Sequence, residues 1–190
     1  MKVTAGDLKR GDFLFRSEEI WQIQKTEFNY QGRGQAVVRV KIKSVASEKN
    51  IDITYKSNAD VEIVDVSVVP MQFLYKDQSN LHLMDEKNYQ QFELKGSAVG
   101  KVSDFLKPGE TYYVLIFQDK PLSIRPPASV KLKVVGAENA VKGDTVTGAK
   151  KKVTLETGVV IMAPLFIKEG DTIAINPDSG EYVERVKSVT

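Results

Sequence analysis

The chain has 190 residues with a formal net charge of only +2, and its hydrophobic (42%) and charged (27%) fractions are typical of a soluble globular protein. It contains no cysteine, which excludes disulfides, thiolate chemistry and zinc sites built from cysteine. This length fits one or two ordinary domains or three small ones of about 60 residues. The near-neutral charge excludes a polycation that binds anionic partners non-specifically over its whole surface.

The N-terminal residues, MKVTAGDLKRGDFLF, contain no apolar stretch long enough for a signal peptide. The longest apolar run, VVIMAPLFI at 159–167, has nine residues, far short of the roughly 20 that span a bilayer. We therefore expect a cytoplasmic protein that makes no contact with a membrane.

The first predicted strand pair has a basic outer face. Residues 20–28 (IWQIQKTEF) and 36–45 (AVVRVKIKSV) are expected to pair, and the second segment alternates apolar and basic side chains. Its even positions are apolar, and its odd positions place three cations on the other face: Arg39, Lys41 and Lys43. No acidic residue lies between Phe28 and Ser47, so we expect a local basic patch suited to phosphate.

The loop NYQGRGQ between these strands carries a lone arginine between two glycines. Gly32 and Gly34 permit positive φ and leave no side-chain bulk on either side of Arg33. The guanidinium stays charged, donates paired hydrogen bonds to phosphate and stacks on bases. A solvated hairpin tip is the commoner explanation of such an arginine, but the basic strand that follows it favours a contact with RNA.

Short strands separated by turns continue along the chain. They are predicted at Met71–Tyr75, Leu81–Met84, Tyr112–Phe117, Val130–Val135, Thr154–Ile161 and Thr172–Ile175. Turn signals lie between most of them, at 76–80 (KDQSN), 107–110 (KPGE), 118–121 (QDKP) and 176–181 (NPDSGE). Helix is predicted only in short pieces, at Asp85–Phe92 and Ser97–Leu106. Many short strands with closely spaced turns predict small β-barrels.

Two junctions divide the chain into three predicted domains. The chain passes from one strand-rich block to the next near Val64–Val68, and Pro126–Pro127 prevents a strand ladder from continuing. The predicted domains are 1–65, 66–128 and 129–190. A second basic cluster lies in the last of them, where residues 141–153 hold four lysines against one acid, Asp144.

No catalytic constellation is found in the sequence. His82, the only histidine, alternates with leucines and is expected to face solvent or a neighbour. The stretch GDTVTGAKKK (143–152) lacks the lysine that a phosphate loop needs directly after its second glycine, and GRGQAV has Val37 where a dinucleotide loop needs its third glycine. We therefore expect a protein that is not an enzyme and has no metal or cofactor.

Over its whole length the chain resembles bacterial elongation factor P. The motifs that carry the resemblance are TEFNYQGRGQAVVRVKIK (26–43), TYKS (54–57), FLYKDQSNLHLMD (73–85), PLSIRPPASVKLKV (121–134), VKGDT (141–145), KKVTLETGVVIMAPLFIKEGD (151–171) and SGEYVERVK (179–187). The motif at 151–171 is the strongest, because it needs four residues at fixed spacing: Lys151, Gly158, Pro164 and Gly170. Ala163 stands where the family usually has valine.

The resemblance implies a mainly β fold of three small barrels in an elongated, tRNA-like arrangement. An SH3-like (KOW-like) N-terminal barrel would be followed by two OB-fold barrels. It implies a translation elongation factor that binds the ribosome between the peptidyl and exit sites and stimulates peptide-bond formation at consecutive prolines. The implied partners are both ribosomal subunits with their rRNA, peptidyl-tRNA and mRNA in the exit site, and the factor is expected to be a monomer.

The resemblance also assigns roles to particular residues. Arg33 matches the loop-tip residue that reaches the CCA end of peptidyl-tRNA, and the arginine type of loop implies rhamnose added to Arg33 by a modifying glycosyltransferase. The loop that meets the exit-site codon is matched by Gly143, Asp144 and Thr145. Tyr182 and Arg185 match a C-terminal surface that faces RNA.

Three other functions stay open at this point. A paralogue within the same family would keep the site and serve different clients. A general single-stranded RNA-binding protein built from OB folds would use exposed aromatics among basic residues, but these aromatics are predicted in core-like strands: Phe73, Tyr75, Tyr112, Tyr113 and Phe117. Tyr30 is the only aromatic beside the basic loop. A hydrolase is disfavoured by the single histidine and the absence of cysteine.

Overall fold

The computed structural model describes residues 1–29, 36–47, 49–138 and 149–186. Within these ranges the chain forms three antiparallel sheets, each built from one contiguous stretch of sequence. The helical elements of this described part are three short 3-10 helices at Ala5–Asp7, Gly96–Ala98 and Gly100–Asp104, and none is long and apolar enough to cross a membrane. This confirms the prediction that the chain is mainly β and folds into small barrels.

The first sheet lies within residues 2–64. Its strands are β1 (Lys2–Thr4), β2 (Phe13–Arg16), β3 (Glu19–Asn29), β4 (Val37–Ser44), β5 (Asn50–Lys56) and β6 (Asp60–Val64), in the order β1-β6-β2-β3-β4-β5. Alternate apolar residues of β3 and β4 fill its core, among them Trp21, Ile23, Val38, Val40 and Ile42. The 3-10 helix that follows β1 contacts β4 and β5, which helps to close the sheet on itself.

The second sheet lies within residues 67–124. Its strands are β7 (Ser67–Lys76), β8 (Asn80–Asp85), β9 (Gln91–Lys95), β10 (Thr111–Phe117) and β11 (Lys120–Ile124), in the order β11-β10-β7-β8-β9. The two edge strands, β9 and β11, contact each other, so the sheet curls into a barrel-like form. In its core the rings of Phe73 and Tyr112 meet edge to face, with centroids 6.4 Å apart.

The third sheet lies within residues 130–186. Its strands are β12 (Val130–Ala137), β13 (Lys150–Leu155), β14 (Val160–Pro164), β15 (Thr172–Asn176) and β16 (Glu181–Val186), in the order β14-β13-β12-β15-β16. Contact between β14 and β16 again brings the edges together. The core is aliphatic and includes fully buried Leu132, Val134, Leu155, Ile167 and Ile173.

The α-helix predicted at Asp85–Phe92 is wrong, because the polar residues after Asp85 form the turn between β8 and β9. Asp85 organises this turn: its Oδ1 accepts a hydrogen bond from the Lys87 N–H (2.8 Å), and its backbone oxygen accepts one from the Tyr89 N–H (2.8 Å). Tyr89 has a φ of +59°, a left-handed conformation that ends a helix. The helix predicted at Ser97–Leu106 is present only as two 3-10 turns.

The single strand predicted at Thr154–Ile161 is also wrong. The chain reverses between Leu155 and Val159, where the Leu155 N–H donates to Val159 O (2.9 Å) and the Gly158 N–H donates to Leu155 O (2.8 Å). Gly158 has a φ of +85°, which glycine adopts without steric cost. Residues 154–161 therefore belong to a hairpin of β13 and β14, and Glu156, Thr157 and Gly158 form its turn.

The turn between β7 and β8 depends on an ionised carboxylate. Asp77 Oδ1 accepts hydrogen bonds from the N–H groups of Ser79 (2.8 Å) and Asn80 (2.7 Å), and its Oδ2 lies 2.8 Å from His82 Nε2. The His82 hydrogen bond, followed by the two backbone donors, lowers the pKa of Asp77 to about 2. The ordinary value is 3.8, so folding favours the charged form.

We expect the stabilising effect of Asp77 to disappear in acid. Because the pKa is depressed in the folded state, the contribution is fully present above a pH of about 4 and is lost as the pH falls toward about 2. The Asp77→Asn variant should therefore be less stable than the parent at neutral pH, and the difference should shrink across this window. Denaturant unfolding of both proteins at a series of pH values measures this difference in the free energy of unfolding. A difference that does not change with pH would contradict the role of the ionised Asp77 carboxylate.

Candidate nucleic-acid interface

The strands β3 and β4 form a long hairpin whose last described pair is Asn29 with Val37. Arg33 is four residues from each of them in the sequence, so the arginine stands at the midpoint of the connection. Residues 30–35, which include Gly32, Arg33 and Gly34, lie outside the described residues. Their predicted contact with tRNA and the predicted modification therefore stay predictions.

The end of this hairpin next to the arginine connection is held to two other segments by backbone hydrogen bonds. The Ser57 N–H donates to Ala36 O (2.9 Å), and the Gly6 N–H donates to Ser57 O (2.9 Å). A Cβ at position 6 would lie 3.2 Å from Ser57 O and 3.6 Å from the Phe28 ring, so a larger residue there would require Ser57 to shift by a few tenths of an ångström. The stem beneath the arginine connection is thus tied to the body of the barrel.

The outer face of β4 carries the predicted cations. Val38, Val40 and Ile42 are buried, whereas Arg39 and Lys41 are exposed and Lys43 is half-buried. The predicted alternation of β4 is confirmed. The contact of Arg39, Lys41 and Lys43 with RNA stays a prediction.

Neighbouring strands reduce the positive charge of this face. Across the ladders, Arg39 pairs with Glu27 of β3, and Lys41 pairs with Asp52 of β5. Lys25 Nζ lies 2.5 Å from Glu27 Oε1, and this hydrogen bond raises the pKa of Lys25 and lowers that of Glu27.

We call the group Lys25, Glu27, Arg39, Lys41, Lys43 and Asp52 the β4 face. Its four cations and two carboxylates leave a net charge of +2. The sequence prediction missed both carboxylates, because they come from other strands and their position depends on the register. A face of this charge attracts phosphate moderately, and its attraction is screened by salt.

The third sheet carries a second candidate connection, between β12 and β13. These strands are paired as far as Ala137 with Val153, and Lys150, Lys151 and Lys152 begin β13. Gly143, Asp144 and Thr145 lie outside the described residues, so their role stays a prediction. Both candidate loops are therefore connections within antiparallel strand pairs, one in the first sheet and one in the third.

Tyr182 and Arg185 lie on β16 with different surroundings. Tyr182 is half-buried and packs against the core of the third sheet. Arg185 is exposed, with its guanidinium 5.9 Å from the centre of the Phe166 ring and its Nη1 3.9 Å from Asp171 Oδ2. A contact of either residue with RNA stays a prediction.

Two tyrosines predicted in core-like positions are exposed. Tyr75 is 53% and Tyr113 59% exposed, whereas Phe73 (2%) and Tyr112 (6%) are buried as predicted. Tyr113 follows an inward-facing residue and must face outward. Tyr75 is turned outward by a β-bulge between Phe73 and Tyr75, and its ring stacks on His82 with centroids 4.3 Å apart.

Catalytic or metal chemistry finds no support in the described ranges. The His82 ring is hydrogen-bonded to Asp77 and stacked on the Tyr75 ring, and these contacts stabilise the turn between β7 and β8. No group of three or more histidine, aspartate or glutamate residues there could hold a metal ion.

One basic feature had no signal in the sequence. A cleft of about 760 Å³ lies between the first and second sheets and reaches the turn between β15 and β16 of the third, and its charged lining residues are Arg10, Lys43, Arg125 and Asp178. These residues are far apart in the chain, so only the fold brings them together. Three cations against one carboxylate make this cleft suited to an anion.

Comparisons with known proteins agree along the whole chain. Three family models match it: the elongation factor P KOW-like domain at 4–61, the elongation factor P OB domain at 66–124 and the elongation factor P C-terminal domain at 130–185. Elongation factor P of Borrelia hermsii (strain HS1 / DAH) is 39% identical over 188 residues, covering 97% of this chain and 98% of the relative. Elongation factor P of Roseiflexus castenholzii (strain DSM 13941 / HLO8) is 35% identical over 185 residues, covering 97% and 99%.

A solved structure shows a similar fold. Eukaryotic translation initiation factor 5A from Methanococcus jannaschii aligns with a TM-score of 0.55 at 19% identity, covering 66% of this chain and 92% of that protein. At this identity the similarity concerns the fold alone. Together with the family models it confirms the KOW-like and OB barrels that the resemblance implied.

Proposed function

The chain belongs to the elongation factor P family of translation factors, and from this membership we propose that it binds the ribosome between the peptidyl and exit sites and stimulates peptide-bond formation at consecutive prolines. It is a translation factor and not an enzyme. The observation that supports the finer proposal is the β3–β4 hairpin, which is hydrogen-bonded to the body of the barrel and whose connection has Arg33 at its midpoint in the sequence.

The proposed partners are both ribosomal subunits with their rRNA, peptidyl-tRNA and mRNA in the exit site. The β4 face would contact RNA phosphates through Arg39, Lys41 and Lys43 and fix the approach of the hairpin. In the third sheet, Gly143, Asp144 and Thr145 would meet the exit-site codon, and Tyr182 and Arg185 would lie toward RNA. We propose that the factor acts as a cytoplasmic monomer with domains 1–65, 66–128 and 129–190.

The proposed mechanism is positioning. Proline is a poor peptidyl donor and acceptor, because its ring restricts the geometry of attack. Arg33 would donate hydrogen bonds to the CCA backbone of peptidyl-tRNA and hold its end in the reactive orientation. Such orientation can supply several kcal/mol of a reaction barrier in well-aligned systems. The ribosome supplies the reaction centre, so the factor needs no covalent intermediate.

We also propose that Arg33 carries rhamnose, added by a modifying glycosyltransferase. A polar extension would lengthen the reach of the side chain and add hydrogen-bonding groups. The proposal needs no other cofactor. Intact-mass measurement of the protein from its native host tests it, because a mass equal to the plain sequence, allowing for loss of Met1, would refute the modification.

Translation of matched reporters in a purified system tests the proposed function. One messenger encodes a run of prolines and the other encodes alanines at the same positions. We expect the factor to relieve stalling on the first messenger and to leave the second unchanged. Equal stimulation of both, or of neither, would contradict the proposal.

Two other functions remain as alternatives. A paralogue within the family would relieve stalling at other sequences, which the same assay detects. The exposed rings of Tyr75 and Tyr113 favour a general single-stranded RNA-binding protein, since such proteins stack bases on exposed aromatics. Binding of naked single-stranded RNA as tight as ribosome binding would support this second candidate.

A further inference from the structure

Phe105 and Leu106 are adjacent in the sequence but are buried in the cores of two different sheets. Leu106, which is 3% exposed, packs in the core of the second sheet together with Val102. Phe105, which is 5% exposed, packs in the core of the third sheet with residues such as Leu132 and Ile173. The segment after the last 3-10 helix therefore joins the two cores side by side, well before the chain itself passes into the third sheet at Val130.

The Phe105 ring packs against Gly180 in the turn between β15 and β16 of the third sheet. A Cβ built on Gly180 would lie 3.4 Å from Cζ and 3.9 Å from Cε2 of Phe105, and Gly180 has a φ of +72°. The turn is held by Asn176, whose backbone oxygen accepts the Gly180 N–H (2.8 Å) and whose Oδ1 accepts the Asp178 N–H (2.9 Å). A larger residue at position 180 would strain this turn and crowd the ring.

A charged contact lies beside the ring. The Lys107 N–H donates to Tyr112 Oη (2.9 Å), which ties the Lys107 backbone to the second sheet. Its Nζ lies 3.3 Å from Glu156 Oε1, and the same oxygen accepts the Lys133 N–H (2.9 Å) within the third sheet. Because a partly exposed ion pair contributes little by itself, the apolar contact of Phe105 is the main link and the ion pair restricts its orientation.

We propose that Phe105 is a positioning residue that locks the second and third sheets into one rigid body. The inference rests on the proposed function, in which Gly143–Thr145, in the connection between β12 and β13, and Arg33, in the connection between β3 and β4, must reach separate ribosomal sites at once. Free rotation between the second and third sheets would vary the separation of these two ends. A locked joint removes that variation before the factor binds, which lowers the entropic cost of orientation.

Distances between paired spin labels on the full-length factor test the joint directly. The chain has no cysteine, so labels can be attached at Lys120→Cys on the second sheet and Lys152→Cys on the third, both exposed positions. We expect a single narrow distance distribution in the parent and a broad one in Phe105→Ala. Phe92→Ala is the matched control, because Phe92 packs only against the second core and its loss should leave the distribution narrow.

A milder variant keeps the test decisive if Phe105→Ala unfolds the third sheet. Phe105→Leu retains an apolar side chain but loses the ring that contacts Gly180, so its distribution should lie between those of the parent and of a flexible joint. Narrow, parent-like distributions in the Phe105 variants that fold would overturn the proposal.

The reporter assay tests the positioning role separately. We expect relief of proline stalling to fall on the order of 10-fold in a Phe105 variant whose distribution has broadened, and to persist in Phe92→Ala. Full relief by a chain with a broadened distribution would overturn the positioning role. Arg33→Ala should keep the narrow distribution; if it also kept full relief, the proposed function would fail while the rigid joint would stand.

Discussion

Replacing Arg33 by alanine is expected to reduce relief of stalling at consecutive prolines by at least about tenfold. The variant should keep the fold and much of its affinity for the ribosome, because the described part of the β3–β4 hairpin already supplies residues such as Val38 and Val40 to the core of the first sheet, and Arg33 comes in the connection after β3. The loss should be confined to the proline messenger of the matched reporters. Ribosome binding, measured by co-sedimentation, should change much less than relief.

Two substitutions control this result. Arg33→Lys keeps the charge but loses the planar fork, so we expect relief between that of the parent and that of Arg33→Ala. Arg16→Ala removes another exposed arginine of the same barrel and should leave relief unchanged. Full relief by Arg33→Ala would refute the role of this side chain.

Adjacent substitutions on β4 are expected to separate packing from RNA contact. Ile42 is fully buried in the core of the first sheet, so Ile42→Ala should lower the free energy of unfolding by about 2–5 kcal/mol. Lys41 is exposed on the β4 face, so Lys41→Ala should change stability by no more than about 0.5 kcal/mol. It should instead weaken ribosome binding, and the slope of the logarithm of the binding constant against the logarithm of the salt concentration should fall by about one in magnitude.

Denaturant unfolding and salt-dependent ribosome binding of the two variants measure this difference. Asp52→Asn is the matched control for charge, because Asp52 lies opposite Lys41 across the β4–β5 ladder and its removal should strengthen binding. Unchanged ribosome binding by Lys41→Ala at low and high salt would contradict an RNA contact of the β4 face.

Regular alternation made much of the fold predictable. From Val38 to Lys43 on β4 the apolar and basic side chains alternate, so the sequence alone separates the buried Val40 and Ile42 from the exposed Arg39 and Lys41. The prediction failed where local geometry breaks the pattern. The bulge beside Tyr75 turns that ring outward, and the turn at Gly158 divides the segment predicted as one strand into two.

Features that depend on register or on distant segments were not predictable. Glu27 and Asp52 offset the basic face only because the ladders place them beside Arg39 and Lys41. Phe105 lies in a segment that belongs to the second sheet by sequence, and its burial in the third core depends on how the two sheets meet. The candidate arginine was found from its two glycine neighbours, because turn chemistry is local.

A structure of the factor bound to a ribosome stalled at consecutive prolines tests the central claim most directly. We predict that the Arg33 side chain, or the sugar attached to it, lies within hydrogen-bonding distance of the CCA backbone of peptidyl-tRNA. A bound factor whose Arg33 side chain ends in solvent, away from that acceptor end, would contradict the proposed mechanism.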